Sequence, residues 1–488
     1  MNRSTSKKRP HIIFILTDQQ RAECLSCAGH SMLKTPNIDG LATEGVRFSH
    51  AFTTSPLCTP TRMSLATGLY PHNSNLWSGE IELPVILDNY MKRLRDHGYR
   101  TAAIGKTHLH NMENVNFYQY EEFMHKIGWD DVYETGGTWS HIRGDNLYIR
   151  HLKQYGLHDK LSRYLTELEA KPDSIRRFIA DPLPIPAEHH LDWFLADTAV
   201  KYLSDYDRPE PSFLFLGFQG PHEPWDAPAS YYLRFDPDQI PDPIEELPPG
   251  EWLPERSRSY QRWAQYFQPE RPRLLKEITA SYYGKISLID DCIGRVVEAY
   301  RRKGWWDDTV VVFASDHGEM LGDLGRLSKS VCYDSAIRVP LIVRSPDRRR
   351  AGTVFDGFVE TIDIGATLLD LAGTEPMHRR DSISLLPLLR GEVTAVRESI
   401  LSEVHVHTML RNREWKLVVG GDGLSLQLFD LVNDPHEQHN LIGHPNFKNA
   451  EQEMRSRLLG RLLANTFREG DLDPEFSDHL PLGAFLPN

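Results

Sequence analysis

The sequence predicts an α/β fold: a large, mixed but mostly parallel sheet sandwiched by helices, with a smaller C-terminal α+β domain that contains an antiparallel sheet. Three observations predict it. Short β-rich apolar runs alternate with helical patterns, which is how successive βα units around a parallel sheet read. Four of those runs end in polar residues suited to metals or anions, and open α/β sheets bind ligands outside the carboxyl ends of their strands. From about residue 395 the alternation gives way to short strands and then a helix. The expected division is 1–385 for the large domain and 386–488 for the small one with its tail.

The first expected strand is Ile12–Leu16. Thr35-Pro36 reads as an N-cap with proline at the first helical position, and Gly45 as the stop. Ile86, Leu87, Tyr90, Met91 and Leu94 share one face of a helix that Gly98 ends, and a strand follows around Thr101–Ile104. A helix near Leu191–Leu203 leads into the strand Phe213–Phe218. The longest helix keeps 3/4 spacing through Leu275, Ile278, Tyr282, Ile286, Ile289, Ile293, Val296 and Tyr300, and stops at Gly304. Strands Thr309–Ala314 and Ile337–Val343 come next, and helix Ile362–Ala372 closes the large domain. In the small domain the expected strands are Ile400–Val404, Lys416–Val419 and Leu424–Phe429, with a helix near Ala450–Ala464. Two stretches interrupt the alternation. Residues 111–190 are polar, aromatic and weakly periodic, while 221–273 holds eleven of the thirty-two prolines and reads as irregular, ordered loop. Both are expected as insertions above the sheet, where substrate-selecting loops usually sit.

Composition narrows the class. At 488 residues, with 40% hydrophobic and 25% charged residues, the chain is an ordinary globular protein, which excludes collagen, low-complexity disorder and coiled coil. A net charge of −13 argues against nucleic acid and anionic membrane as bulk partners. Five cysteines are an odd and sparse count, so a disulfide scaffold is excluded and a reducing compartment expected. The basic start MNRSTSKKRP is followed only by Ile12–Leu16, too short for an export segment. The expectation is a cytoplasmic protein.

The polar strand ends are Asp18 and Gln19, Lys106 and His108, His222, and Asp316 and His317. A lone His or Asp after a strand is usually a turn residue, but four such ends in one chain point to a site. The fifth element is the run from Pro56 to Gly68, in which Pro60 suits the first turn of a helix and Gly68 its end. Cys58 then sits at a helix N-terminus, where free N–H groups favour an anion, with Arg62 one turn on. The bland alternative is a buried cysteine before an ordinary helix.

Cys58-x-Pro60-x-Arg62 resembles the first signature of the type I sulfatases, in the alkaline-phosphatase-like superfamily. Gly98-Tyr99-Arg100-Thr101-Ala102-Ala103-Ile104-Gly105-Lys106-Thr107-His108 resembles their second. The likeness continues through Asp18-Gln19-Gln20-Arg21, Thr35-Pro36-Asn37-Ile38-Asp39, Pro221-His222-Glu223-Pro224 and Ser315-Asp316-His317-Gly318-Glu319. It ends at Phe429-Asp430-Leu431-x-x-Asp434-Pro435-His436-Glu437 in the small domain, in the family's order across residues 11–441.

The resemblance implies the alkaline-phosphatase-like fold and hydrolysis of a sulfate monoester of a small aryl, alkyl or sugar alcohol. Cys58 would be oxidised to formylglycine by a maturation enzyme, and the hydrate would be the nucleophile. One of its oxygens attacks sulfur and the second ejects sulfate. Asp18, Gln19, Asp316 and His317 would hold one divalent metal, completed by the oxygen of residue 58, and the metal would polarise a sulfate oxygen. Arg62 would hold the formylglycine hydroxyl. Lys106 and Lys329 would neutralise sulfate oxygens where charge builds in the transition state. His222 would bind sulfate and serve as the acid for the leaving alcohol, and His108 would be the base that collapses the covalent hemiacetal sulfate.

Two departures from the pattern matter. Many sulfatases carry Asp-Asp and Asp-Asn where this chain has Asp18-Gln19 and Asp316-His317. An amide and an imidazole weaken the case for Ca²⁺ and admit Mn²⁺, although Ca²⁺ stays first on the family pattern. The same substitutions resemble choline sulfatases and phosphonate monoester hydrolases, while Lys106 and His108 are sulfatase-like. Ala66 stands where the first signature prefers a bulkier apolar residue. A phosphonate monoester or phosphodiester hydrolase is therefore the alternative within enzymes, and a non-catalytic binding protein the alternative of another class. Cys24-x-x-Cys27 is expected to pack, His189-His190 to be a solvated helix start, and Tyr118, Trp129, Trp139 and Trp225 to be core more often than pocket. The tail Glu469–Asn488, with Leu480, Leu482, Phe485 and Leu486, could reach a neighbour in a homo-oligomer.

Overall fold

The computed structural model describes residues 9–77, 81–111, 117–137, 145–171, 179–245, 271–378 and 380–466. Eight strands form the large sheet: β1 His11–Asp18, β2 Val46–Phe52, β3 Arg100–Gly105, β4 Asp131–Tyr133, β5 Ser212–Pro221, β6 Thr309–Ser315, β7 Arg338–Arg344 and β8 Thr353–Glu360. Their order is β4-β3-β5-β1-β6-β7-β2-β8. Every pairing is parallel except those of β7, which runs antiparallel to both β6 and β2. The expected strand Ile337–Val343 is thus the one that makes the sheet mixed.

The alternation of side chains along β1 builds the sandwich. Ile12, Phe14 and Leu16 face a core shared with helices Cys58–Thr67, Tyr90–Asp96 and Asp363–Ala372. Ile13 and Ile15 face the other way, against helices Pro36–Glu44, Leu191–Asp205 and Arg271–Arg302. All eight residues of β1 are buried, which explains its unbroken apolar reading. The long helix bears out its 3/4 stripe, with Ile278, Ile286, Ile289, Ile293 and Val296 wholly buried.

The small domain holds β9 Ile400–Val404, β10 His407–Arg411, β11 Trp415–Gly420 and β12 Ser425–Asp430, antiparallel in the order β12-β11-β10-β9, and helix Lys448–Asn465. Leu385, Leu388 and Leu389 pack in the core of the large sheet.

Several expectations need correction. Ile86 is half exposed and lies outside its helix, because the Asn89 side chain accepts from Lys92 N and starts the helix at Tyr90. Among its described residues, segment 111–190 carries the amphipathic helices Leu147–Gln154 and His158–Glu169, each burying one stripe (Tyr148, Ile149 and Leu152; Leu161, Leu165 and Leu168). His190 is no solvated residue: it is buried and caps helix Leu191–Asp205 by accepting from Asp192 N. Strands β2, β4, β8 and β10 had no expected counterpart. Trp129 and Trp225 are core residues, and Cys24 is buried in the same cluster as Trp225. Trp139, the side chain of Tyr118 and the tail Glu469–Asn488 lie outside the described residues. No described helix is long and apolar enough to cross a membrane.

Candidate active site

Four neighbouring parallel strands, β3, β5, β1 and β6, end on the same edge of the sheet and deliver the expected polar residues there. Close strand approach depends on glycine at one point. A Cβ on Gly105 would lie 2.1 Å from the Gly217 carbonyl oxygen, and one on Gly217 would lie 2.4 Å from that of Lys106. With both bare, Lys106 N donates to Gly217 O at 2.9 Å and carries the lysine inward beside β5.

Cys58 is the first residue of helix Cys58–Thr67, which Gly68 ends in a left-handed conformation (φ 70°). Its Sγ lies 3.1 Å from His317 Nε2, 3.4 Å from Lys329 Nζ and 3.7 Å from Asp18 Oδ1. One ligand atom from each of Asp18, Cys58, Asp316 and His317 falls within 4.8 Å of the others, a set that could hold a metal ion. The donor chemistry fits such an ion. Both carboxylates are fully buried, and His317 Nδ1 is 3.0 Å from Gly318 O, which leaves the Nε2 lone pair facing the sulfur and carboxylates.

Gln19 lies beside this cluster with φ 71°. Its backbone N donates to Asp316 Oδ1 at 3.0 Å and its carbonyl accepts from Tyr282 Oη at 2.7 Å. The side-chain Oε1 accepts from Lys329 Nζ, and Nε2 donates to Glu223 Oε2 at 2.8 Å and Glu319 Oε2 at 2.5 Å.

The cations converge on the same carboxylates. Arg62 Nε donates to Asp316 Oδ2 at 2.8 Å, one of its terminal nitrogens to Asp18 Oδ2 at 3.3 Å, and the other to Lys106 O at 2.5 Å. Lys106 Nζ pairs with Asp18 Oδ2. Lys329 reaches the site from the segment before β7, which the bond from Ser330 N to Pro56 O (3.2 Å) ties to the turn before Cys58. His222 follows β5, with Nδ1 2.7 Å from Glu223 O, while Lys285 Nζ donates to His222 O at 2.8 Å. His108 stands at φ 55° after Lys106, and its Nδ1 is buried without a hydrogen-bond partner among the described residues.

Electrostatics follow from this packing. Burial would raise the Asp18 carboxyl, but Lys106, His222, Arg62 and Lys329 outweigh it and hold it well below the usual range. Burial and Asp18 push Asp316 up, and His317, Arg62 and Lys106 bring it below its ordinary value on balance. Burial holds the His317 imidazole below its ordinary value in spite of Asp316. Burial, then Lys106 and Arg62, push His108 well down, so its imidazole is a neutral base. Burial would lower Lys329, yet Cys58, Glu223 and Asp18 raise it, so the ammonium stays charged.

Sequence reasoning missed four supporting residues. Glu223 and Glu319 stand inside quoted motifs yet had no role there. Tyr282 was expected only as a core position of the long helix. Glu134, just past β4, is buried and accepts from Thr107 N at 3.1 Å and Gly136 N at 3.0 Å, which braces the Lys106–His108 turn. No motif marks Glu134.

A mixed eight-stranded sheet that gathers buried carboxylates, an imidazole and a thiol at its strand ends forms a site able to hold a metal ion. A family model described as Sulfatase matches residues 10–374, and one described as N-sulphoglucosamine sulphohydrolase, C-terminal, matches 322–462. The chain belongs to the sulfatase family and is a sulfuric ester hydrolase. It is 30% identical to the multifunctional alkaline phosphatase superfamily protein PehA of Trinickia caryophylli, over 94% of this chain and 96% of that protein. It is 27% identical to an arylsulfatase of Clostridium perfringens, over 93% of this chain and 94% of that one. Among solved structures, phosphonate monoester hydrolase SpPMH from Silicibacter pomeroyi superposes with a TM-score of 0.77 at 25% identity, covering 94% of this chain and 96% of that one.

Proposed function

We propose that this chain hydrolyses the sulfate monoester of a small aryl, alkyl or sugar alcohol, with residue 58 acting as a formylglycine hydrate. The observation that carries the reading is the position of Cys58, whose sulfur touches His317 and Lys329 at the head of a helix and lies within reach of Asp18. Asp18, Gln19, Asp316 and His317, with the oxygen of residue 58, would hold one divalent metal, Ca²⁺ first and Mn²⁺ second. Such an ion supplies charge neutralisation and activation of an oxygen nucleophile.

The remaining roles belong to the chain's own residues. Lys106 and Lys329 bring two ammonium groups to the oxygens of the sulfate, where negative charge grows in the transition state. Arg62, held by Asp316 and Asp18, orients the hydroxyl of residue 58. His222 donates the proton to the departing alcohol. His108, a neutral imidazole at the mouth of the Lys106 turn, takes the proton from the second hydroxyl when sulfate leaves.

A maturation enzyme acting on Cys58 belongs to this reading, as does a catalytic domain over 1–385 with a C-terminal domain over 386–488. A cytoplasmic setting is supported by five cysteines that are all free. One observation favours a second reading, phosphonate monoester or phosphodiester hydrolysis on the same site. Gln19 stands where many sulfatases carry a second aspartate, which leaves the site less negative, and His317 offers an imidazole nitrogen in place of an amide oxygen. Side-by-side kcat/KM values on an aryl sulfate, a phosphate diester and a phosphonate ester test both. Preference for the phosphonate by orders of magnitude would replace the first reading with the second.

A further inference from the structure

The Gln19 amide is caught between opposite demands. Its NH₂ group offers two donors, and both are taken by carboxylate oxygens, Glu223 Oε2 at 2.8 Å and Glu319 Oε2 at 2.5 Å. Its oxygen points the other way, accepting from Lys329, whose ammonium lies 3.4 Å from Cys58 Sγ. Only this orientation satisfies the network, because a flipped amide would set its oxygen against two carboxylates and its NH₂ against an ammonium. Gln19 and Glu319 are fully buried and Glu223 nearly so, so water does not screen the group. Glu319 is itself held in place, since its Oε1 accepts from Leu321 N at 3.0 Å and from Ser328 N.

We propose that Glu223 and Glu319 are positioning residues that act through Gln19: they turn its Oε1 toward the metal site, and they exclude a carboxylate from position 19. The inference rests on the metal reading above and deepens it. An added carboxylate ordinarily tightens a divalent site. Here Gln19→Glu replaces the shared NH₂ with an oxygen facing two carboxylate oxygens at hydrogen-bond distance, and the new side chain is driven off the site. The amide at position 19 is therefore the counterpart of the Glu223–Glu319 pair.

The test is titration of metal-free, full-length protein with Mn²⁺, free Mn²⁺ being read by its electron paramagnetic resonance signal and folding by circular dichroism. Gln19→Glu is expected to weaken Mn²⁺ binding by about 10–100-fold, the scale of losing an outer partner of a ligand. In Gln19→Glu/Glu319→Gln the donor and acceptor change places while residue 319 still accepts from Leu321 and Ser328. That variant is expected to recover affinity over Gln19→Glu by about tenfold or more. If Gln19→Glu does not fold, Glu319→Gln alone decides, because it sets NH₂ against NH₂ and is expected to lose at least about tenfold. Mn²⁺ binding as tight as wild type in Gln19→Glu, or in Glu319→Gln where that variant decides, would overturn this inference alone. No Mn²⁺ binding by wild type, or its retention in Asp316→Ala, would overturn the metal reading and this inference with it.

Discussion

Lys329 Nζ lies 3.4 Å from Cys58 Sγ, although the two residues reach the site from different parts of the chain. Cys58 heads a helix after β2, and Lys329 stands in the segment before β7. The small domain grips the end of that segment: Lys416 Nζ on β11 donates to Cys332 O at 2.9 Å and to Asp334 Oδ1 at 2.6 Å. Gln427 Nε2 on β12 donates to Tyr333 Oη at 2.8 Å, and Glu437 accepts from Asp334 N at 2.7 Å. The Asp434–Glu437 motif of the small domain thus ends in a brace on the segment that carries Lys329.

Residue 58 is expected as an aldehyde when the chain is produced with a formylglycine-generating enzyme. Peptide mass spectrometry distinguishes thiol from aldehyde at this position. Full activity in protein that carries only the unmodified cysteine would make the proposed nucleophile wrong.

Asp316→Ala is expected to abolish turnover and the bound divalent metal while the fold survives. Asp316 is buried and accepts from Gln19 N, His317 N and Arg62, so its loss removes a proposed ligand and one of the three acceptors that hold Arg62. Metal content by plasma mass spectrometry, with circular dichroism as the folding control, is the check. Stoichiometric metal in the variant would move the site elsewhere.

Lys106→Ala is expected to cost about 3 kcal/mol of transition-state stabilisation on a sulfate ester, the scale of one preorganised donor. The loss on a phosphonate ester is expected to be no larger, since both substrates are monoanions. Parallel kcat/KM series for wild type and variant read both values. A larger loss on the phosphonate would reverse the assignment of Lys106 as the sulfate-selecting cation.

Stability is expected to carry a histidine step. His72 Nδ1 lies 2.9 Å from both carboxylate oxygens of Glu403, joining helix Pro71–Ser74 to β9. Burial would lower His72, but Glu403 outweighs it and raises the imidazole above 6.5. The folded value being the higher one, this contribution is fully present below the unfolded value and is lost as pH rises through the folded one. Melting temperature against pH should therefore fall more steeply above neutrality in wild type than in His72→Gln. Parallel curves would remove the pair from the stability of this contact.

Much of the fold was legible because β1, β5 and β6 are buried along their whole lengths and read as continuous apolar runs. β2 and β8 escaped because polar residues that stay partly exposed interrupt them. The helices Leu147–Gln154 and His158–Glu169 bury only three residues each, a stripe too thin to stand out from an otherwise polar segment.

The site divides in the same way. Residue type and local spacing by themselves singled out Asp18, Gln19, Cys58, Arg62, Lys106, His108, His222, Asp316 and His317 as candidates, because each sits at, or within about a turn of, a strand end or helix start that sequence periodicity marks. They also determined the family, since its signatures are contiguous. Only the tertiary structure decided which of these atoms meet. The pairing of Lys106 with Asp18, the sharing of the Gln19 amide by Glu223 and Glu319, and the brace of Glu134 on Thr107 join residues 27 to 300 positions apart. Distances of that kind are set by the register of parallel strands and by what burial leaves without water, and neither is written in any local run of residues.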